Sequence, residues 1–340
     1  MLRCKTVKTV FIILVLSLLT SLAGCYDLTE IENTLTVIAI GIDLNDNETT
    51  VTFATADISD KDKGAKAPLK CNTVNAESIT DAAVLVEKKT SSHLSFTHIE
   101  CIAANTNISS KFKSFIDEMY LKLNINSSAD VVFTAGSAAQ YLDQINKICE
   151  SSPDMYFTNI FKSNNYLPST SLANAYSSVM SDRAFISPLA DITDNEYIYK
   201  AAIYKNSSIF ILSDSNLLDA YCILTGKLNK ITVMYNNGYY DVYISSKPKI
   251  KITNTDKSNI KILTTVKIRC ENQTDEFVKK AKISVCDIIN NYYTFEQKSH
   301  IDMTNIEQHL KSSYLTQKKW SKTDWYTLYS NAKIVTEAVV

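Results

Sequence analysis

The sequence predicts an α+β protein of more than one domain, with mixed and antiparallel sheets packed against helices. At 340 residues the chain is longer than one hydrophobic core comfortably serves. Through the first 150 positions, period-two and period-3.6 apolar patterns interleave in the order ββαβαβα, which is the pattern of a mixed sheet covered by helices. From Tyr197 onward, strand pairs joined by short turns take over, among them two runs flanking Asn236-Asn237-Gly238, a strong hairpin signal.

The elements follow in order. Arg3, Lys5 and Lys8 precede an apolar run from Val10 to Leu19, and Leu22-Ala23-Gly24 ends in Cys25, so residues 1–24 read as a lipoprotein signal peptide. The run is shorter than the roughly 20 residues that span a bilayer. Leu-Ala-Gly-Cys is the bacterial lipobox pattern, which makes Cys25 the expected lipid attachment point, carrying a diacylglyceryl group, and residues 25–33 a lipidated tether. Two acyl chains on one residue anchor stably where one does so only marginally. Thr34 to Ile42 then reads as a buried strand, turned by Asn45-Asp46-Asn47 into the alternating Thr50 to Asp57, and Ser59 to Lys70 as a solvated loop. Asn75 or Ser78 can cap a helix burying Ile79, Ala82, Ala83 and Val86. Thr97 to Ala104 reads as a strand, Phe112 to Leu123 as a helix, Ala129 to Ala135 as a strand and Tyr141 to Ile148 as a helix. Together these make an N-terminal mixed α/β domain over 34–150.

Residues 151–195 carry Pro153 and Pro168 among short apolar helical pieces and read as a small helical subdomain. The remainder, 196–340, reads as a C-terminal antiparallel α+β domain. It has hairpins at 197–212 and 231–244, a helix from Asn216 to Thr225 stopped by Gly226, and strands at 249–252 and 260–269. Helical stretches at 273–292 and 304–314 and a strand over 333–339 complete it.

Little in the chain invites chemistry. A formal charge of −1 with balanced acids and bases gives no footprint for nucleic acid. The chain has no glycine-rich phosphate-binding loop or Gly-x-Ser-x-Gly elbow, and its six glycines leave little material for either. His93, His98, Glu100 and Cys101 collect metal-ligand residue types, but their spacing fits neither a helical pair nor a zinc ribbon, so a structural role is expected. His300 and His309 fall on polar helical stretches. Asp43-x-Asn45-x-Asn47 mimics the opening of a calcium loop, yet Glu48 stands where glycine is needed and Ala54 where a bidentate glutamate belongs. No metal, cofactor or catalytic residue is therefore assigned. Cys71, Cys101, Cys149, Cys222, Cys270 and Cys286 form no C-x-x-C pair and read mostly as small buried residues, with pairing among them open. Lys247, Lys249 and Lys251 alternate along a strand next to Pro248, a pattern that protects a sheet edge and could also meet anionic lipid. Tyr239-Tyr240 and Tyr292-Tyr293 read as packing aromatics.

Gly24-Cys25-Tyr26-Asp27, the acidic Glu30-Ile31-Glu32 and an apolar strand closing on Gly41-Ile42-Asp43 together resemble the N-terminus of the Ger(x)C family, the lipoprotein C subunits of bacterial spore germinant receptors. The helix from Glu77 to Glu87 leading to Leu94-Ser-Phe-Thr-His98, and the spaced Trp320 and Trp325, continue the likeness; Tyr26 stands where the family has tryptophan and Thr97 where it commonly has glycine. The resemblance implies a three-domain, non-enzymatic subunit on the outer face of the spore inner membrane. It would be lipid-anchored to the bilayer and would assemble with a membrane A subunit and a transporter-like B subunit for nutrient-triggered germination. The competing expectations are a transporter's solute-binding lipoprotein, which needs two similar lobes around a cleft, and a cell-envelope hydrolase, which needs a polar constellation in a pocket.

Overall fold

The computed structural model describes residues 34–45, 48–56, 69–123, 125–148, 157, 160, 166–193, 196–256, 259–271, 274–311 and 324–340. The signal peptide, Cys25, the tether, most of the 59–70 loop, Cys149 and Trp320 lie outside them. Helices and sheets are mixed throughout, giving the α+β class.

The first sheet grows around β1 (Thr34–Asn45), whose residues from Thr36 to Ile42 are buried except that Gly41 has no side chain to bury. β2 (Glu48–Ala56) returns antiparallel along one edge of β1, from Asn45↔Glu48 to Thr36↔Ala56. Along β1 two further strands run parallel to it, β4 (His93–Ser95) at Thr34 to Thr36 and β5 (Cys101–Asn105) at Ala39 to Ile42. With β3 (Lys70–Asn75), β6 (Asp130–Thr134), β7 (Phe185–Thr193), β8 (Glu196–Lys205) and β9 (Ser208–Leu212), the order is β3-β2-β1-β5-β6-β7-β8-β9, with β4 beside β1. The sheet is mixed, as the interleaved pattern requires.

Helices cover both faces. On one face, α1 (Ile79–Thr90) buries Ile79, Ala82, Ala83 and Val86, and Ser78 caps it by accepting from the Asp81 amide at 3.0 Å. Beside it lie α2 (Phe112–Leu121) and α4 (Leu172–Met180), stacked through Tyr120 and Tyr176 at 4.2 Å. On the other face, α3 (Ala138–Ile148) packs Tyr141, Leu142 and Ile145 against Ala39, Ala103 and Val132.

The second sheet contains β10 (Lys230–Tyr235), β11 (Gly238–Ile244), β12 (Lys249–Asp256), β13 (Asn259–Cys270) and β14 (Lys333–Val339). Asn236 and Asn237, at φ 48° and 61°, make the β10–β11 turn, where asparagine tolerates the left-handed region better than most residues. α5 (Ser215–Thr225) stops at Gly226, whose φ is 79°. α6 (Asp275–Ser299) repeats Phe277, Ala281, Val285, Ile289 and Tyr293 at four-residue spacing, and that stripe is the spine of the core. Two short helices, α7 (Ile306–Lys311) and α8 (Trp325–Ser330), close over its C-terminal end.

Four sequence expectations differ from the structure. Thr97 and His98 form a turn, and the strand starts at Cys101, because β4 already occupies the first positions of β1 and the chain must step past it. β14 runs parallel to β13, from Lys261↔Lys333 to Lys267↔Val339, so the second sheet is mixed rather than antiparallel. Phe185–Thr193, inside the expected helical subdomain, is a strand. Its Pro188 is accommodated because β6 joins β7 only at Leu189 and Ala190, while the Ser187 hydroxyl donates to the Val131 carbonyl just before. Lastly, the boundary expected at 195/196 falls inside the β7–β8 hairpin, so the first sheet continues to Leu212. Ile186, Ala201, Ile203 and Leu212 from that sheet belong to the same buried cluster as α6, and the two sheets share a core.

Candidate functional site

The residue assigned a role from sequence, Cys25, lies outside the described residues, whose first member, Thr34, follows the expected tether. Nine peptide steps separate Cys25 from Thr34, a reach of roughly 30 Å when fully extended. Thr34 pairs with His93, so β1 starts at the end of the first sheet where β3 begins at Lys70 and α1 finishes at Thr90. Lys70, Lys88, Lys89 and His93 are exposed there.

The Gly41-Ile42-Asp43 motif is built into the opposite end of β1. Asp43 is 2 % exposed, and its carboxylate accepts from the Ala138 amide at 2.7 Å, the Ala139 amide at 3.0 Å and the Ser137 hydroxyl at 3.0 Å. It thus caps the first turn of α3 from a strand 95 positions earlier, where unpaired amides and the helix dipole favour a negative charge. Gly41, on the same face, lets the helix approach: a Cβ there would lie 3.0 Å from Leu142 Cδ1 and 3.3 Å from the Ala138 carbonyl carbon. The resemblance to a calcium loop has this structural explanation, with amide groups taking the place of a cation. Glu118 makes a similar cap, accepting from the amides of Ile79 and Thr80 at 3.0 and 2.9 Å.

The other sequence candidates do not converge. His93 is exposed and 3.8 Å from Glu87, His98 is exposed in its turn, and His309 is exposed on α7. His300 is the left-handed C-cap of α6, with Nδ1 3.1 Å from the Ser330 hydroxyl. No group of three metal-ligating side chains occurs among the described residues. Cys71, Cys101, Cys222, Cys270 and Cys286 are free, and burial pushes the thiols of Cys71 and Cys222 up to about 11 and about 12, away from reactivity. Lys249 and Lys251 lie on β12, an edge strand paired only with β13 among the described residues. Tyr292 and Tyr293 are fully buried, whereas Tyr239 is 76 % exposed.

A buried acid cluster escaped the sequence reading. Glu296, fully buried near the end of α6, accepts from the hydroxyls of Tyr292 at 3.0 Å and Tyr329 at 2.6 Å, and from the Met303 amide at 2.7 Å. Asp302 caps α7, accepting from the amides of Ile306 at 2.9 Å and Glu307 at 2.7 Å. Burial pushes Glu296 up to about 8 and Asp302 up to about 6, against the donors that pull each down; the charge of Asp302 adds to the rise at Glu296, and that of Glu307 to the rise at Asp302. The available signal was Glu296 continuing the apolar stripe of α6 one turn past Tyr292.

Two concavities flank this cluster. One, of about 250 Å³, is polar and lined by Arg183, Ser177, Asn174, Asn305 and Gln308. Arg183 spans it, donating to the Ser177 hydroxyl at 3.1 Å and to Asn305 Oδ1 at 3.4 Å. The other is apolar and runs between β9 and the end of α6.

Residues 27–192 match the family model described as the spore germination protein N-terminal domain. No curated protein matches the sequence. Among solved structures, the crystal structure of the GerBC protein is similar in fold, with a TM-score of 0.53 at 11 % identity, covering 88 % of this chain and 95 % of that one. The match starts two positions after Cys25 and ends in β7, so this part of the chain carries a spore germination protein N-terminal domain, and the fold shared with GerBC extends through the second sheet.

Proposed function

We propose that this chain is the non-enzymatic, lipid-anchored C subunit of a spore germinant receptor, acylated at Cys25 and held at the outer face of the spore inner membrane. There it assembles with the membrane A and B subunits and contributes to the conversion of nutrient binding into germination. The observation that carries this reading is a lipobox cysteine two positions before a spore germination protein N-terminal domain. An acyl anchor confines the folded chain to a thin layer above the membrane. Modest protein contacts then suffice for assembly, because the anchor raises the effective concentration of the membrane partners. A mixed nine-stranded sheet sharing its core with a five-stranded one is not the pair of similar lobes that a transporter's solute-binding lipoprotein requires.

The test is Cys25→Ala in spores. The expected result is loss of acylation and of membrane retention, with slowed nutrient germination while a non-nutrient trigger still works. Intact germination with the protein released from the membrane would count against the reading, as would acylation of the variant.

A further inference from the structure

β9 is the last strand in the order of the first sheet and pairs only with β8 among the described residues, yet its Phe210 and Ile211 are 56 % and 52 % exposed. An edge strand with adjacent exposed apolar side chains is normally blunted by charge or proline. Here the two residues form the lip of a groove of about 480 Å³, the size of a small-ligand site. Its walls are Ile203 and Leu212 from the sheet and Phe295 and Ile301 from the end of α6 and the segment after it, with Asn206, Ser208 and Ser299 at the rim.

One lining residue is charged, and it is a cation. Lys205 donates to the backbone carbonyl of His300 and lies 4.5 Å from the centroid of the Tyr326 ring. No carboxylate among the described residues forms an ion pair with it, and no acid lines the groove. An apolar trough ending at a cation whose protein partners are a carbonyl and a ring has the complementarity of an amphiphile with a negative head.

We propose that this groove binds a single-chain amphipathic carboxylate, its methylene chain lying along Ile203, Leu212, Phe295 and Ile301 and its carboxylate at Lys205. The receptor reading is not needed for this inference, and neither stands or falls with the other. Each methylene removed from water is worth roughly fourfold in affinity, so chain length and charge should both be read by the site.

Photo-crosslinking tests this on the full-length chain in the cell fraction that carries it, with an octanoate bearing a diazirine in its chain. Cross-links are expected on residues 203–212 and 295–301, competed by octanoate, about tenfold less well by octan-1-ol and not by butanoate. Lys205→Met should lower labelling about tenfold, and Ile211→Asp, at an exposed position, at least as much. If Lys205→Met fails to accumulate because the His300 contact is lost, Ile211→Asp is read alone. Labelling scattered over the chain, labelling that octanoate does not displace, or labelling unchanged in Ile211→Asp overturns the proposal. Absence of labelling at residues 203–212 and 295–301, the result a groove reserved for a partner's strand would give, overturns it as well.

Discussion

Asp43 gathers three donors from the start of α3, two of them backbone amides that no other residue of that helix can satisfy. Replacing it with alanine removes a charged cap and strands the Ala138 amide in a buried site. Asp43→Ala is therefore expected to cost about 2–3 kcal/mol of stability in urea unfolding of the purified chain, with Asp43→Asn milder because its amide oxygen still accepts. A loss below about 0.5 kcal/mol would show that the cap contributes little. Gly41→Val fails for a different reason, since the added carbon meets the backbone of Ala138, which the capped helix cannot withdraw. The motif that carries the family likeness thus acts in this fold as a helix seat. Its glycine sets the distance between strand and helix, and its aspartate sets where the helix begins.

At the scale of elements, Glu296 ties α6 to α8 through Tyr329 and to the segment before α7 through Met303. Its folded affinity for a proton is raised, from 4.5 to about 8, and that of Asp302 from 3.8 to about 6. A carboxyl raised on folding adds stability that is fully present below its unfolded value and is lost as pH rises through the folded one. The melting temperature, followed by circular dichroism, should therefore fall between pH 5 and pH 8. Glu296→Gln, whose amide oxygen still accepts and which stays neutral across this range, should flatten the upper part of that decline. A melting temperature that climbs across the same range, or a variant with the full slope, would separate Glu296 from the pH response.

Most elements were legible because their pattern is local. The α1 stripe, the Asn-Asn-Gly hairpin and the Gly226 stop each depend on a few neighbouring residues. β3 (Lys-Cys-Asn-Thr-Val-Asn) was not, since a polar strand at a sheet edge has little hydrophobic alternation to display. β7 was hidden by Pro188, tolerated only because of where β6 joins, a tertiary fact. The groove could not be read at all, because β8, β9 and α6 contribute to it across about a hundred positions.

For the molecule as a whole, Thr34 opens a sheet whose far strands share a core with the second sheet, so this end of the described chain and the rest of it are joined by continuous packing. On the proposed acylation of Cys25, a reach of roughly 30 Å to Thr34 would hold this end of the sheet close to the bilayer. Inserting ten Gly/Ser residues between Asn33 and Thr34 should leave acylation and membrane retention intact while slowing nutrient germination, since effective concentration falls steeply once a linker outgrows its span. Germination timing and membrane fractionation of the same spores check this together; unchanged timing would mean that height above the bilayer does not matter. The placement of β1 also has a consequence in time. Its partner on one edge, β2, follows at once, but β5 is reached only at Cys101, some sixty positions after the Ala39 it pairs with. At roughly 5–20 residues per second, synthesis leaves a completed apolar strand with one open edge for about three to twelve seconds. In that interval the newborn chain is most open to pairing with a second copy of itself, and most in need of a chaperone's cover.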